Sequence, residues 1–203
     1  MRFDPSIDIA SPPEVYNPSD DSFLLLESVE VRPGQEFLEV GCGTGIVSLH
    51  AAKAGARVTA ADISPHAVEC TRRNAAKNGL KMRVLESDLF EKVSGNFDVI
   101  AFNPPYLPGE TRSTSWVERA WSGGSEGSET TVRFMEQAWA HMSPGARAYL
   151  ILSSVGGLLS VLQAASERYS SELIEERHMF FESIYAYRFA LKSSGASQER
   201  EKL

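Results

Sequence analysis

The residues best suited to chemistry are Asn103-Pro104-Pro105-Tyr106, at the end of an apolar run, Phe97 to Phe102, interrupted by Asp98. A run of this kind suits a short strand covered on both faces. Proline fixes its own φ and pushes the preceding residue away from helical geometry, so Asn103 and Pro104 are expected to be extended and stiff. Neither proline has a backbone N–H. The strand end therefore presents two acceptors, the Asn103 side-chain oxygen and the Pro104 carbonyl, with the Tyr106 ring beside them. Two acceptors and a flat ring suit the capture of a planar –NH2 group: each hydrogen finds an oxygen, and the ring packs on the face. A proline-rich loop leaving a strand is the plainer reading of the same residues.

Other candidate residues also fall at predicted strand ends. Glu36 to Val40 reads as a buried strand running into Gly41-Cys42-Gly43-Thr44-Gly45, followed by a helix from Ile46 to Ala54. Strand, glycine-rich turn and helix form the layout of a nucleotide-binding unit, where backbone must pass close to a ligand. A second strand, Arg57 to Asp62, ends in an acid about 20 residues after the first glycine, which suits a carboxylate bonding two ribose hydroxyls; the alternative is a helix cap. A third strand, Lys81 to Leu85, leads to Ser87-Asp88-Leu89. There an acid could bond an adenine amino group while Leu89 packs on the base, or Asp88 could be a turn residue.

The remaining elements position these ends. Residues 1–19 contain four prolines and are expected to be irregular. Ser19 or Asp20 caps a helix running to about Val29. It could cover the sheet, or its capping end could also close over a ligand. Pro65 opens a helix that ends at Asn78-Gly79. Residues 107–127 read as a long loop carrying Trp116 and Trp121, which could face a substrate or dock on the core. A helix over Glu129 to His141 has Val132, Met135, Ala138 and Trp139 as its inner face. Pro144-Gly145 is a turn before a fifth strand, Ala146 to Leu152. A helix from Leu158 to Tyr169 precedes two final strands, Glu172 to Arg177 and Ser183 to Leu191. The intervening Phe180-Phe181 pair reads as core.

Composition narrows the function classes. A chain of 203 residues with 42% hydrophobic and 23% charged residues suits one domain, assigned to residues 1–192. Residues 193–203 read as a disordered tail. A net charge of −7 argues against broad phosphate-backbone binding, so nucleic acid is not the expected partner. Cys42 and Cys70 lack metal-ligand spacing and read as packing residues, and the four histidines are scattered; no metal is assigned. The N-terminus lacks the apolar core of a signal peptide and no run is long enough to span a membrane, so a cytoplasmic protein is expected.

Four stretches together resemble a known family: Val15 to Leu26 (VYNPSDDSFLLL), Leu38 to Gly45 (LEVGCGTG), Asn103 to Tyr106, and Glu118 to Gly124 (ERAWSGG). They are similar to class I S-adenosylmethionine-dependent methyltransferases, and more closely to the HemK-related glutamine methyltransferases of archaea and eukaryotes. The resemblance spans roughly Val15 to Leu191. It implies an α/β fold, a doubly wound, mainly parallel seven-stranded sheet with an antiparallel last strand. It further implies methylation of the glutamine of the Gly-Gly-Gln motif in a class I translation release factor, with S-adenosyl-L-methionine as donor. Tyr16, Ser22, Glu39, Gly41, Gly43, Gly45, Asp62, Ile63, Asp88 and Leu89 would bind the cofactor. Asn103 would link cofactor and substrate, with Pro104, Pro105 and Tyr106 beside it. The family often has Thr where Ser22 stands; the hydroxyl is kept. Unlike bacterial members, the chain is expected to lack a separate N-terminal helical domain. The resemblance also implies a heterodimer with a small zinc-binding activator protein, docked along the edge strand near Met82 to Leu85. Other readings of the same residues are an adenine-N6 methyltransferase, a protein lysine methyltransferase, and an NAD-dependent oxidoreductase, which would leave Asn103 to Tyr106 unexplained.

Overall fold

The computed structural model describes residues 1–109 and 115–192; the predicted tail lies outside them. Seven strands form one sheet: β1 (Glu36–Val40), β2 (Arg57–Asp62), β3 (Arg83–Glu86), β4 (Phe97–Phe102), β5 (Met142–Ser153), β6 (Tyr169–His178) and β7 (Ser183–Leu191). Their spatial order is β3-β2-β1-β4-β5-β7-β6. Pairing is parallel from β3 to β5, and β7 runs antiparallel to both β5 and β6. The helices are α1 (Asp20–Ser28), α2 (Ile46–Lys53), α3 (Pro65–Lys77), α4 (Trp116–Arg119), α5 (Glu129–Ala138) and α6 (Leu158–Ala165). None of those described is long and apolar enough to cross a membrane.

The apolar runs are continuous because the central strands are covered on both faces. In β4, Ile100 and Phe102 join one core with Leu38, Phe134, Met135 and Leu150. Val99 and Ala101 point the other way, into a second core with Leu24, Leu25, Phe37, Val47 and Tyr149. This is the period-two alternation of a strand used twice. Asp98 is reconciled with the run by a hydrogen bond: its carboxylate accepts the Glu36 N–H at 2.9 Å, tying the starts of β1 and β4.

Register brings the chemistry together. Val40 is paired with Ala61 on one side and Phe102 on the other. Gly41, Asp62 and Asn103 therefore emerge at one level. Asp62 is paired with Glu86, which brings the Ser87 to Leu89 turn alongside. Between β1 and β4 the strand order reverses, and such a switch point opens a crevice outside the carboxyl ends.

Several predicted boundaries are corrected. Pro144-Gly145 does not separate a helix from a strand; it lies inside β5 as a bulge, between the pairs Phe97–Met142 and Val99–Arg147. Trp139 is 46% exposed, while Phe134, not foreseen, is fully buried. The cause is a tightening of the helix to a 3-10 turn at Trp139–His141, which turns the indole off the inner face. There Trp139 lies under the Arg168 guanidinium at 5.5 Å. Helix α6 stops at Ala165, because Tyr169 is pulled into the sheet; its hydroxyl donates to the Met135 carbonyl at 2.8 Å. Phe180 and Phe181 are not core: they are 91% and 89% exposed at the β6–β7 turn.

Candidate active site

A cavity of about 680 Å³ opens at the carboxyl ends of the strands. Every predicted site residue except Gly45 lines it: Tyr16, Ser22, Glu39, Gly41, Gly43, Asp62, Ile63, Asp88, Leu89, Asn103, Pro104, Pro105 and Tyr106. Gly45 has another task. It enters α2 with φ +82, and a Cβ there would meet Thr71 of α3 at 2.8 Å. It is a glycine for helix entry and helix packing.

Asp62 organises the first wall. Its two carboxylate oxygens accept the Gly43 N–H at 2.9 Å and the Ser64 N–H at 2.8 Å. The glycine turn and the start of α3 are thus held by one side chain. Each oxygen keeps a further lone pair, a donor set suited to two adjacent hydroxyls. Burial raises the Asp62 pKa, and the backbone bonds oppose that shift. Asp88 pairs with Arg133 at 3.0 Å. Leu89 is buried at φ +46, the one non-glycine residue with positive φ among those described. The Ser87 hydroxyl donates to the Leu89 carbonyl at 3.1 Å and accepts the Lys92 N–H, fixing this strained turn against the cavity.

Glu39 is buried in β1 and accepts the Ser48 N–H at 2.8 Å, anchoring α2. Burial pushes its carboxyl up to about 8 from 4.5, against the pull of the Ser48 bonds. Between those values the folded protein keeps a proton that the unfolded chain releases. The resulting stability is complete at low pH and is lost as pH rises towards about 8. From pH 4.5 to 7 this costs about 3 kcal/mol in the ligand-free protein. Glu39→Gln is therefore expected to raise the melting temperature at pH 8 much more than at pH 5. Parallel melting curves for variant and parent across that range would refute it.

The opposite wall is built around Asn103. Its side-chain oxygen is buried and has no hydrogen-bond partner among the described residues. An unsatisfied buried acceptor costs on the order of 1–3 kcal/mol, and one facing a cavity points to a missing donor. Tyr106 is held from below. Its hydroxyl donates to Asp21 at 3.3 Å, and the Tyr16 hydroxyl donates to the same carboxylate at 3.2 Å. Asp21 also accepts the Ser22 N–H at 2.6 Å and the Ser22 hydroxyl at 3.1 Å. Burial raises the pKa of both tyrosines, and the adjacent Asp21 adds to the shift, so both remain protonated donors. Asp21 is the site residue that sequence reading missed. In the Ser19-Asp20-Asp21-Ser22 stretch it looks like a helix-cap acid, and only the two tyrosines folding over it give it a second role.

Trp116 and Trp121 both line the cavity, and Trp121 meets Tyr16 edge-on at 6.4 Å. The Ser122 to Gly127 stretch packs directly on the backbone after Asn103. A Cβ on Gly123 would sit 2.6 Å from the Pro105 carbonyl, and one on Gly156 would sit 2.6 Å from that of Tyr106. Cys42 also borders the cavity; burial raises its thiol pKa well above 9, so it is a packing residue rather than a nucleophile. Among the described residues no group of three His, Cys, Asp or Glu side chains could hold a metal.

Residues 16–180 match the family model described as methyltransferase small domain. The chain belongs to this family. It is 40% identical over 148 residues to a Methanocaldococcus jannaschii protein named as a protein N5-glutamine methyltransferase, covering 71% of this chain and 75% of that one. It is 36% identical to methyltransferase HEMK2 of Mus musculus over 68% of this chain and 71% of the relative. With these relatives it is a HemK-related class I methyltransferase. The fold agrees: the E. cuniculi Mtq2–Trm112 complex, described as responsible for methylation of the termination factor eRF1, has a chain that superposes with TM-score 0.71 at 23% identity, covering 89% of this chain and 99% of that one. A Pyrococcus furiosus methyltransferase superposes with TM-score 0.70 at 25% identity, covering 91% and 89%. For this methyltransferase the oxidoreductase reading falls away.

Proposed function

We propose that this methyltransferase modifies the side-chain amide nitrogen of glutamine in the Gly-Gly-Gln motif of a class I translation release factor. The observation that carries the reading is the buried Asn103 oxygen at the end of β4, unpartnered among the described residues. Relatives named for glutamine methylation support the substrate. When bound, S-adenosylmethionine supplies an electrophilic methyl group on a sulfonium. Asp62 would take its ribose hydroxyls, Asp88 and Leu89 its base, and Tyr16, Ser22, Glu39, Gly41, Gly43 and Ile63 the rest. The donor set fits such a group: carboxylates for hydroxyls and amines, and an apolar shelf at Leu89.

An amide nitrogen is a poor nucleophile because its lone pair is delocalised into the carbonyl. The Asn103 oxygen and the Pro104 carbonyl accept both amide hydrogens, orient the nitrogen, and favour its pyramidal form as the N–C bond grows. Tyr106, locked by Asp21, packs on the amide face. The nitrogen gains the methyl and the excess proton leaves to water, so no general base is assigned. Orientation of this kind is worth about 7–11 kcal/mol when the geometry is held closely. Gly156→Ala should disturb that geometry through the Tyr106 carbonyl; overpacking of about 1–3 kcal/mol predicts turnover lower by about ten- to a hundredfold with the fold retained. Unchanged steady-state turnover in a folded variant would contradict it.

The same reading includes one cytoplasmic catalytic domain over residues 1–192 and a small zinc-binding activator paired along β3. That strand is at the sheet edge, where its unpaired backbone can extend into a second protein. The test is methyl transfer from labelled S-adenosylmethionine to a release factor, with and without the activator. The Gln→Ala substrate serves as control. Label lost in that control supports the glutamine reading. Label found in RNA would instead favour an exocyclic base amine, which the same two acceptors can hold.

A further inference from the structure

The β6–β7 hairpin closes through Phe180-Phe181, with the Met179 N–H donating to the Glu182 carbonyl at 2.7 Å. Two-residue turns favour Gly, Asn and Asp, whose backbones accept the turn readily. Here the two positions carry phenylalanines that are 91% and 89% exposed and meet edge-on, with ring centroids 4.6 Å apart. Burial of such side chains stabilises a fold, and at this exposure the pair contributes little of that kind. Neither turn chemistry nor folding accounts for the pair.

Its position does. The next residue, Glu182, lines the active-site cavity and is held by the Ser153 hydroxyl at the end of β5. The aromatic tip therefore begins one residue from the cavity wall. The adjoining sequence is acidic: Glu182 follows the tip and Glu175 and Glu176 stand in β6, Glu176 lying 3.5 Å from His178, while Arg177 is neutralised by Glu27 and Glu175. The whole chain carries −7. Such a surface repels phosphate backbones and anionic lipid, and attracts a cationic segment whose Lys or Arg groups can also lie on aromatic faces.

We infer that Phe180 and Phe181 dock the segment of the protein substrate flanking the accepting glutamine, a segment carrying apolar and basic side chains. This rests on the glutamine reading above. It assigns the pair to holding the substrate, outside the reacting centre.

The test is the Phe180→Ser/Phe181→Ser double variant of the full chain, assayed with its activator on an intact release factor and on a short Gly-Gly-Gln peptide. The expected result is a KM for the intact factor raised about tenfold or more, as for loss of an interface anchor. The peptide KM, the kcat, the S-adenosylmethionine affinity and the melting temperature should stay within about twofold of the parent or within experimental error. An unchanged KM for the intact factor overturns the proposal. So does loss of self-association or of vesicle binding with methylation kinetics intact, which would reassign the patch to a second copy or a membrane. If the unaltered protein transfers no methyl to glutamine, the glutamine reading fails and this proposal with it. Transfer by the parent with an unaffected double variant removes the docking surface alone.

Discussion

Asn103→Ala loses about 10²–10³ in turnover while its affinity for S-adenosylmethionine falls by less than about tenfold. The asymmetry follows from where the acceptor stands. Asn103 leaves β4 beside Gly41, with its oxygen buried and unpaired among the described residues, and the adjoining Pro104 is held extended by Pro105. Removing the oxygen frees one amide hydrogen of the substrate, so the nitrogen can turn away from the transferring methyl. The Pro104 carbonyl remains but cannot set the amide plane alone. The cofactor contacts proposed for Asp62 and Asp88 lie on other strand ends and would be untouched. Single-turnover rates and calorimetric cofactor titrations separate the two quantities. Equal losses in both would mean that Asn103 merely holds the cofactor.

Asp62→Ala should have the opposite profile, with cofactor affinity weakened by about 100-fold or more and turnover at saturating cofactor much less affected. Two bonds to a charged acceptor are worth about 1.5–3 kcal/mol each, and alanine removes both. The same change strips the Gly43 and Ser64 N–H groups of their partner, loosening the glycine turn. Because the Asp62 pKa is raised by burial, its hydrogen bonding to hydroxyls should also weaken earlier on acidification than that of an exposed aspartate. Cofactor titration across pH, for parent and variant, tests both statements. A dissociation constant within threefold of the parent would show that the carboxylate faces the protein alone.

Much of this architecture was legible locally. The run Phe97 to Phe102 could end only where polar Asn103 and two prolines forbid further pairing. Strand, glycine turn and helix over Glu36 to Lys53 followed from apolar period and punctuation, and the alternation of strands with helices implied a parallel sheet. Boundaries failed where a distant residue outweighed local preference. Tyr169 left its predicted helix for a hydrogen bond to Met135, and Pro144-Gly145 was absorbed into β5 because flanking residues pair with β4 on both sides of the bulge.

Local sequence accounts for the types and order of the elements, the acids and glycines at their ends, and the pair of acceptors after β4. These depend on φ restriction, side-chain period and hydrogen-bond inventory, which are properties of neighbours along the chain. Three features came from folding alone: Asp21 binds Tyr16 and Tyr106 together, Gly123 and Gly156 must be bare beside the segment after Asn103, and Phe180 and Phe181 face solvent next to Glu182 of the cavity wall. Each is a meeting, or a failure to meet, between residues far apart in sequence. Burial periodicity says that a face will be covered, but packing and register choose what covers it.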